Sequence, residues 1–319
     1  MVDTKEVAEN IYLIDSNLYS IPQWGGVYLI DEEKKALIDS GTSTSAKAVL
    51  DGIKMVGVKP EDIDYIVITH IHLDHAGGAG VLVRNMPRAQ VIVHPRGAKH
   101  LVDPAKLVDS VRAIQGDEFM AKCGEVSPIE TKRVKPLGDG DVIELGDGQT
   151  LRFIDAPGHA PHQLCTYESR NNGLFVGDSV GLHISDDDEL LLQVTPLPSF
   201  DLELFINTIE RLMRLNVSII YFAHFGPSRK VQEKLQEAID KLKAWGDIVA
   251  KAIEEGGIDS ARERLTAQAC AELEPIRKRR IQYRHLTENL LPVNVAGYIK
   301  YYREKYEAEL SKGREVESN

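Results

Sequence analysis

With 319 residues, 43% of them hydrophobic and 27% charged, the chain is long enough to bury a large core, and its net charge of −11 argues against a surface for nucleic-acid phosphates. No stretch of about eighteen apolar residues occurs, so no transmembrane helix is expected. Asp3, Glu6 and Glu9 without an apolar run predict no secretory leader. The cysteines, Cys123, Cys165 and Cys270, are far apart and odd in number, which fits reduced thiols in a cytoplasmic protein acting on a small molecule.

In chain order, strands are predicted near 11–15, 26–31 and 35–40 as an antiparallel meander, with Tyr19 to Trp24 between the first two. Thr42 to Val56 reads as a helix, with Ser43, Thr44 or Ser45 as its N-cap. The apolar run Tyr65-Ile66-Val67-Ile68 then delivers the chain to Thr69-His70-Ile71-His72-Leu73-Asp74-His75-Ala76-Gly77-Gly78. A strand at 91–93 and a polar helical stretch over 97–122 follow. Further strands are predicted at 142–145, 151–155, 163–168, 173–177 and 218–222, with a helix over 201–215. From Ser228 onward the pattern is helical throughout, near 228–256, 259–273 and 287–311. The pattern predicts an α/β protein, a two-sheet sandwich covered by helices on both outer faces over residues 1–229, with a helical C-terminal extension over 230–319. That extension offers a homodimer surface.

The decapeptide at 69–78 carries the chemistry. Three imidazoles and a carboxylate (His70, His72, Asp74, His75) crowd a turn at a strand end. Neutral imidazole with carboxylate suits zinc first, and iron or manganese, without any thiolate. Four donors exceed what one catalytic ion needs while keeping an open position, which suggests two ions, one on His70 and His72 and one on Asp74 and His75. Further donors stand where other strands end: His159 after Leu151 to Asp155, Asp178 after Gly173 to Gly177, and His224 after Ile219 to Phe222.

The motif His-x-His-x-Asp-His followed by His, Asp and His resembles the signature of the metallo-β-lactamase-fold hydrolase superfamily, over roughly residues 8–226. The resemblance implies a four-layer αββα sandwich. It further implies that His70, His72 and His159 hold one divalent metal ion, that Asp74, His75 and His224 hold another, and that Asp178 bridges them. The implied activity is hydrolysis of a thioester, phosphoester, carboxylic ester or lactone by a metal-bridging hydroxide, with Asp178 fixing the ions and Asp74 orienting the hydroxide. A sandwich followed by terminal helices is similar to the glyoxalase II-like and phosphodiesterase-like branch. Ser179-Val180-Gly181-Leu182-His183, however, lacks that branch's glutathione-binding segment and the tyrosine that quorum-quenching lactonases carry where Gly181 stands. Asp74 departs from class B β-lactamases. Flavodiiron proteins carry glutamate at the position of His72 and append a flavodoxin domain. A mononuclear-iron persulfide dioxygenase, and a binding or regulatory protein of the same fold, are the alternatives.

Candidate substrate contacts are His183, beyond the bridging aspartate, His162, beside His159, and Tyr19 and Trp24 as an apolar wall. Asp103 to Gly124 is a candidate lid. His94 and His100 read as surface or packing residues, His285 as part of a solvated helix face unless the extension folds over the pocket and turns it inward, and Arg277-Lys278-Arg279-Arg280 as a solvated charge run.

Overall fold

A computed structural model describes residues 3–184 and 190–317, with 308–317 described by backbone alone. Strands β1 (Thr4–Ala8), β2 (Ile11–Asp15), β3 (Gly26–Ile30), β4 (Lys35–Ile38), β5 (Ile63–Val67), β6 (Gln90–Val93) and β7 (Val134–Pro136) lie side by side in chain order. The first four pair antiparallel, and β4 through β7 pair parallel. The second sheet is built from β8 (Val142–Gly146), β9 (Gln149–Asp155), β10 (Leu164–Glu168), β11 (Gly173–Gly177), β14 (Ile219–Phe222) and β15 (Gly226–Ser228). Its order is β15-β14-β11-β10-β9-β8, while β12 (Leu182–Ile184) and β13 (Leu190–Leu192) form a hairpin apart.

Both faces of each sheet are apolar because both are covered. Alternate residues of the first sheet, such as Leu13, Tyr28 and Ile38, meet Leu151, Phe153, Phe175 and Tyr221 of the second in the central layer. The Tyr28 hydroxyl donates to the Phe222 carbonyl at 2.7 Å and ties the sheets together. The intervening residues point outward: Val27, Leu29, Leu37 and Ile66 pack on α1 (Ala46–Met55) and α3 (Ala79–Leu82). On the opposite outer face Leu174, Val176, Ile220 and Phe222 join a cluster with α6 (Leu202–Met213), α7 (Val231–Glu272) and α9 (Leu291–Glu317). The result is the four-layer αββα sandwich with a helical C-terminal region.

The helices follow from local sequence. Asp201 caps α6 by accepting from the Leu204 N–H at 2.9 Å, and Leu202, Phe205, Ile209 and Leu212 then fall on one buried face. In α7, Leu235, Ala238, Ile239, Leu242, Trp245, Val249 and Ala252 repeat at helical spacing and are buried against the second sheet and α9. The terminal helices therefore share a core with the sandwich. Gly257 (φ 76°) kinks α7 at the break expected between 256 and 259. The polar stretch expected as one helix over 97–122 is two, α4 (Pro95–Val102) and α5 (Ala105–Cys123), because Pro104 interrupts the ladder; Gly116 (φ 81°) kinks the second. Strands β1, β7, β12, β13 and β15 were not expected. Among the described residues no helix is long and apolar enough to cross a membrane.

Candidate metal centre

Each donor side chain sits just beyond a strand end. Strand β5 brings the chain to His70, and the short helix α2 (Leu73–Ala76) carries Asp74 and His75 with His72 at its N-cap. Strands β9, β11 and β14 run in one direction, so the loops after them present His159, Asp178 and His224 at the same edge of the second sheet. Two glycines make the approach possible. Gly158 adopts φ 133°, and a Cβ there would lie 2.3 Å from the Phe205 Cα; Gly177, just before Asp178, adopts φ 50°.

The seven donors converge. His70 Nε2 and His159 Nε2 lie 2.9 and 3.0 Å from His72 Nδ1. A second cluster has His224 Nε2 3.3 Å from His75 Nε2, with Asp74 Oδ2 3.6 and 3.8 Å from these two nitrogens. Asp178 stands between: Oδ2 is 3.9 Å from His70 Nε2 and 3.5 Å from His159 Nε2, while Oδ1 is 3.5 Å from His75 Nε2 and 3.6 Å from His224 Nε2. One carboxylate oxygen thus faces each triad.

The outer ring atoms fix what the inner ones present. His159 Nδ1 donates to the Val194 carbonyl, His224 Nδ1 to the Trp24 carbonyl and His75 Nδ1 to Asp39 Oδ2, each at 2.8 Å. Thr69 Oγ1 donates its own proton to Asp39, so it accepts from His70 Nδ1 at 3.2 Å. With the outer nitrogens protonated, the inner Nε2 atoms carry lone pairs aimed into the cluster. Buried lone pairs at this separation repel unless a cation lies among them, and Asp178 Oδ1 is buried without a hydrogen-bond partner. The residues therefore fit divalent cations, and the donor atoms of each triad lie within 4.8 Å of one another.

Charge agrees. Burial, reinforced by neighbouring imidazoles, holds His70 and His72 well below the usual histidine range, and burial lowers His159 despite Asp178. These imidazoles are neutral, the form that ligates. At His75 burial is outweighed by the carboxylates of Asp178, Asp74 and Asp39, which raise it well above that range. The same acidic group that would hold a proton on His75 supplies negative charge for a cation. Asp178 is depressed although burial opposes it, because His75 and His224 face it.

Above the donors opens a cavity of about 140 Å³. Tyr19 and Trp24 line it as expected, with ring centroids 5.3 and 5.0 Å from that of His285. Helix α5, the expected lid, contributes Val111 and Phe119. The expectation for His285 is corrected: it leaves α8 (Arg280–His285) toward the cavity rather than along a solvated face, because the terminal helices fold back over the site. Two other expectations are corrected as well. His183 is 2% exposed, packs its ring at a tilt on Phe222 with centroids 4.7 Å apart, and does not line the cavity. His162 lies 6.3 Å from the His70 ring, accepts from the Ile71 N–H at 3.5 Å, and is likewise absent from the cavity wall. His94 caps α4 by accepting from the Arg96 N–H at 3.1 Å, a packing role. Sequence reasoning overlooked Asp39, buried and bonded to both Thr69 and His75. A signal for it existed, since Asp39-Ser40-Gly41 repeats the pattern of strand, donor residue and glycine.

The family model of the metallo-beta-lactamase superfamily matches residues 26–224, more than half the chain. The chain belongs to the metallo-beta-lactamase superfamily. Members of this superfamily are mostly metal-dependent hydrolases, and their fold usually binds divalent metals. A metallo-beta-lactamase fold-containing protein of Sulfurisphaera tokodaii is 28% identical over 261 residues, covering 76% of this chain and 93% of that protein. The crystal structure of this archaeal superfamily member superposes with a TM-score of 0.62, covering 73% of this chain and 85% of that one. A metallo-beta-lactamase family protein of Thermus thermophilus, 20% identical, shares the fold with a TM-score of 0.67 over 94% of this chain and 95% of that one. The N-acyl homoserine lactonase of Bacillus cereus is 27% identical over 252 residues, 70% of this chain and 88% of that enzyme.

Proposed function

We propose that the protein is a dinuclear metal-dependent hydrolase of ester-like bonds: carboxylic esters, lactones, thioesters or phosphoesters. The observation that carries this reading is Asp178, whose two oxygens each face a different triad. His70, His72 and His159 would hold one ion, Asp74, His75 and His224 the other, and Asp178 would be shared. Imidazole and carboxylate donors suit zinc, iron or manganese. Bound there, a pair of such ions supplies hydroxide at neutral pH and polarises a carbonyl or phosphoryl oxygen.

The chain's own groups do the rest. Asp74 lines the cavity with 24% of its side chain exposed, placed to accept a hydrogen bond from the attacking water and orient it. The bonds from His159, His224 and His75 to Val194, Trp24 and Asp39 fix ring orientation, so the donors need no rearrangement during turnover. Tyr19 and Trp24 exclude water from one side of the site. The lactonase among the relatives adds support for an ester-type bond.

Elemental analysis of protein purified without added metal, followed by rates on matched thioester, phosphodiester, phosphotriester and lactone substrates, tests the reading. Two ions per chain and turnover of at least one class are expected. A single bound iron with oxygen consumption on glutathione persulfide would refute it in favour of a persulfide dioxygenase, for which the triad of Asp74, His75 and His224 has no use. Full metal loading without turnover of any class would refute it in favour of a binding or regulatory protein.

A further inference from the structure

The hydrolase reading leaves the substrate class open, and the cavity walls narrow it. Against the polar floor stand Val111, Ile114 and Phe119 from α5 and Leu290 and Val293 from the terminal helical segment. At about 140 Å³ the space is smaller than the roughly 300 to 1,000 Å³ of drug-sized sites, so it has room for one short substrate arm beside the metal centre. Among the described residues no Lys or Arg lines it; the charged side chains there other than histidine are Asp74 and Asp178. Hydrogen-bonding capacity away from the floor comes from neutral amides, Gln115 and Asn289, and from His285. A carboxylate or phosphate carried by the substrate away from its reacting bond would enter this wall with no cation to meet it, which is unfavourable in an apolar setting.

We propose that the substrate is an uncharged carboxylic ester or lactone with a short aliphatic or aromatic acyl group, and that this group lies between α5 and the terminal helices. The proposal rests on the hydrolase reading. Anionic thioesters of the glutathione or nucleotide type, and substrates with a remote carboxylate, are disfavoured by the same wall. Specificity then resides in α5 and the terminal helices, while the donors belong to the sandwich.

The test uses the full-length, metal-loaded protein and p-nitrophenyl esters from acetate to decanoate, with mono-p-nitrophenyl glutarate as the charged partner of the pentanoate. Each methylene that reaches the wall is expected to raise kcat/KM by about fourfold until the cavity is filled. The pentanoate is expected to exceed the glutarate by at least tenfold. Ile114→Lys, at a position 43% exposed and therefore tolerant of a charge, is expected to narrow or invert that ratio. Leu290→Trp is expected to move the optimum to shorter chains. A flat chain-length series, or a preference for the glutarate, would overturn the proposal. A readout without turnover separates it from the hydrolase reading: the fluorescence of neutral N-phenyl-1-naphthylamine in the cavity, displaced by aliphatic amides of increasing length. Displacement that strengthens with length while no ester is hydrolysed supports the apolar site and refutes the hydrolase. Failure of the probe to bind, or displacement independent of length, overturns the site itself.

Discussion

Replacing Asp39 with asparagine changes one oxygen to an NH₂ group and leaves the volume nearly untouched. In the native protein Asp39 Oδ1 accepts from the Thr69 N–H at 2.8 Å, and Oδ2 accepts from His75 Nδ1, also at 2.8 Å. In Asp39→Asn the amide oxygen keeps the bond to Thr69, and the NH₂ faces His75 Nδ1. Two donors cannot share that contact, so His75 shifts its proton to Nε2, the atom that faces Asp74, Asp178 and His224. The lone pair needed for a cation is lost from one triad only. Changes of this kind typically lower metal affinity 10- to 100-fold, or about 1.4–2.7 kcal/mol. Competition titration with a chromophoric chelator should show one site at wild-type affinity and the other weakened by that factor, with circular dichroism unchanged. Two ions held as tightly as in the native protein would refute the assignment of the His75 proton.

Gly158→Ala places a Cβ 2.3 Å from the Phe205 Cα at φ 133°, and should destabilise by about 3 kcal/mol in urea unfolding while displacing His159. Trp245, fully buried with its indole N–H donating to Glu272 at 2.9 Å, should cost about 3–5 kcal/mol as Trp245→Ala. Because α7 shares a core with the second sheet, unfolding should stay a single transition by fluorescence and by activity; two separate transitions would contradict the shared core. Burial, with Lys122 and His224 adding to it, lowers His285 to about 4, so the fold favours its neutral form. That contribution is complete above about pH 6.5 and is lost as pH falls through about 4, roughly 3 kcal/mol in all. His285→Gln should accordingly flatten the acid limb of the stability profile of the metal-free protein. Cys123 and Cys165 are buried with thiols pushed up to about 12, so Ellman's reagent should label at most Cys270 in the native state and all three thiols after denaturation.

The central strands were legible because apolar runs such as Tyr65 to Ile68 and Gly173 to Gly177 end abruptly in donors and glycines. The convergence of the seven donors was legible only through the resemblance, since sequence spacing cannot say that β9 and β14 end at the same edge. What stayed hidden has physical reasons. Strand β1 (Thr-Lys-Glu-Val-Ala) is a partly exposed edge strand with a polar composition, and β12 and β13 are three residues each, too short for a periodic signal. His183 and His285 were misjudged for one shared cause: burial of a lone histidine is set by what folds over it. His183 is the middle residue of β12 and is buried against Phe222, and His285 is carried to the cavity by helices more than 50 residues after the last donor.

Each triad takes two donors from the first sheet's loops and one from the second's: His70 and His72 with His159, Asp74 and His75 with His224. A cation held by either triad would consequently be a rivet through both halves of the sandwich. With a cation there, prising the sheets apart at that edge would mean breaking coordination bonds as well as apolar contacts, so metal removal would loosen the mouth of the site.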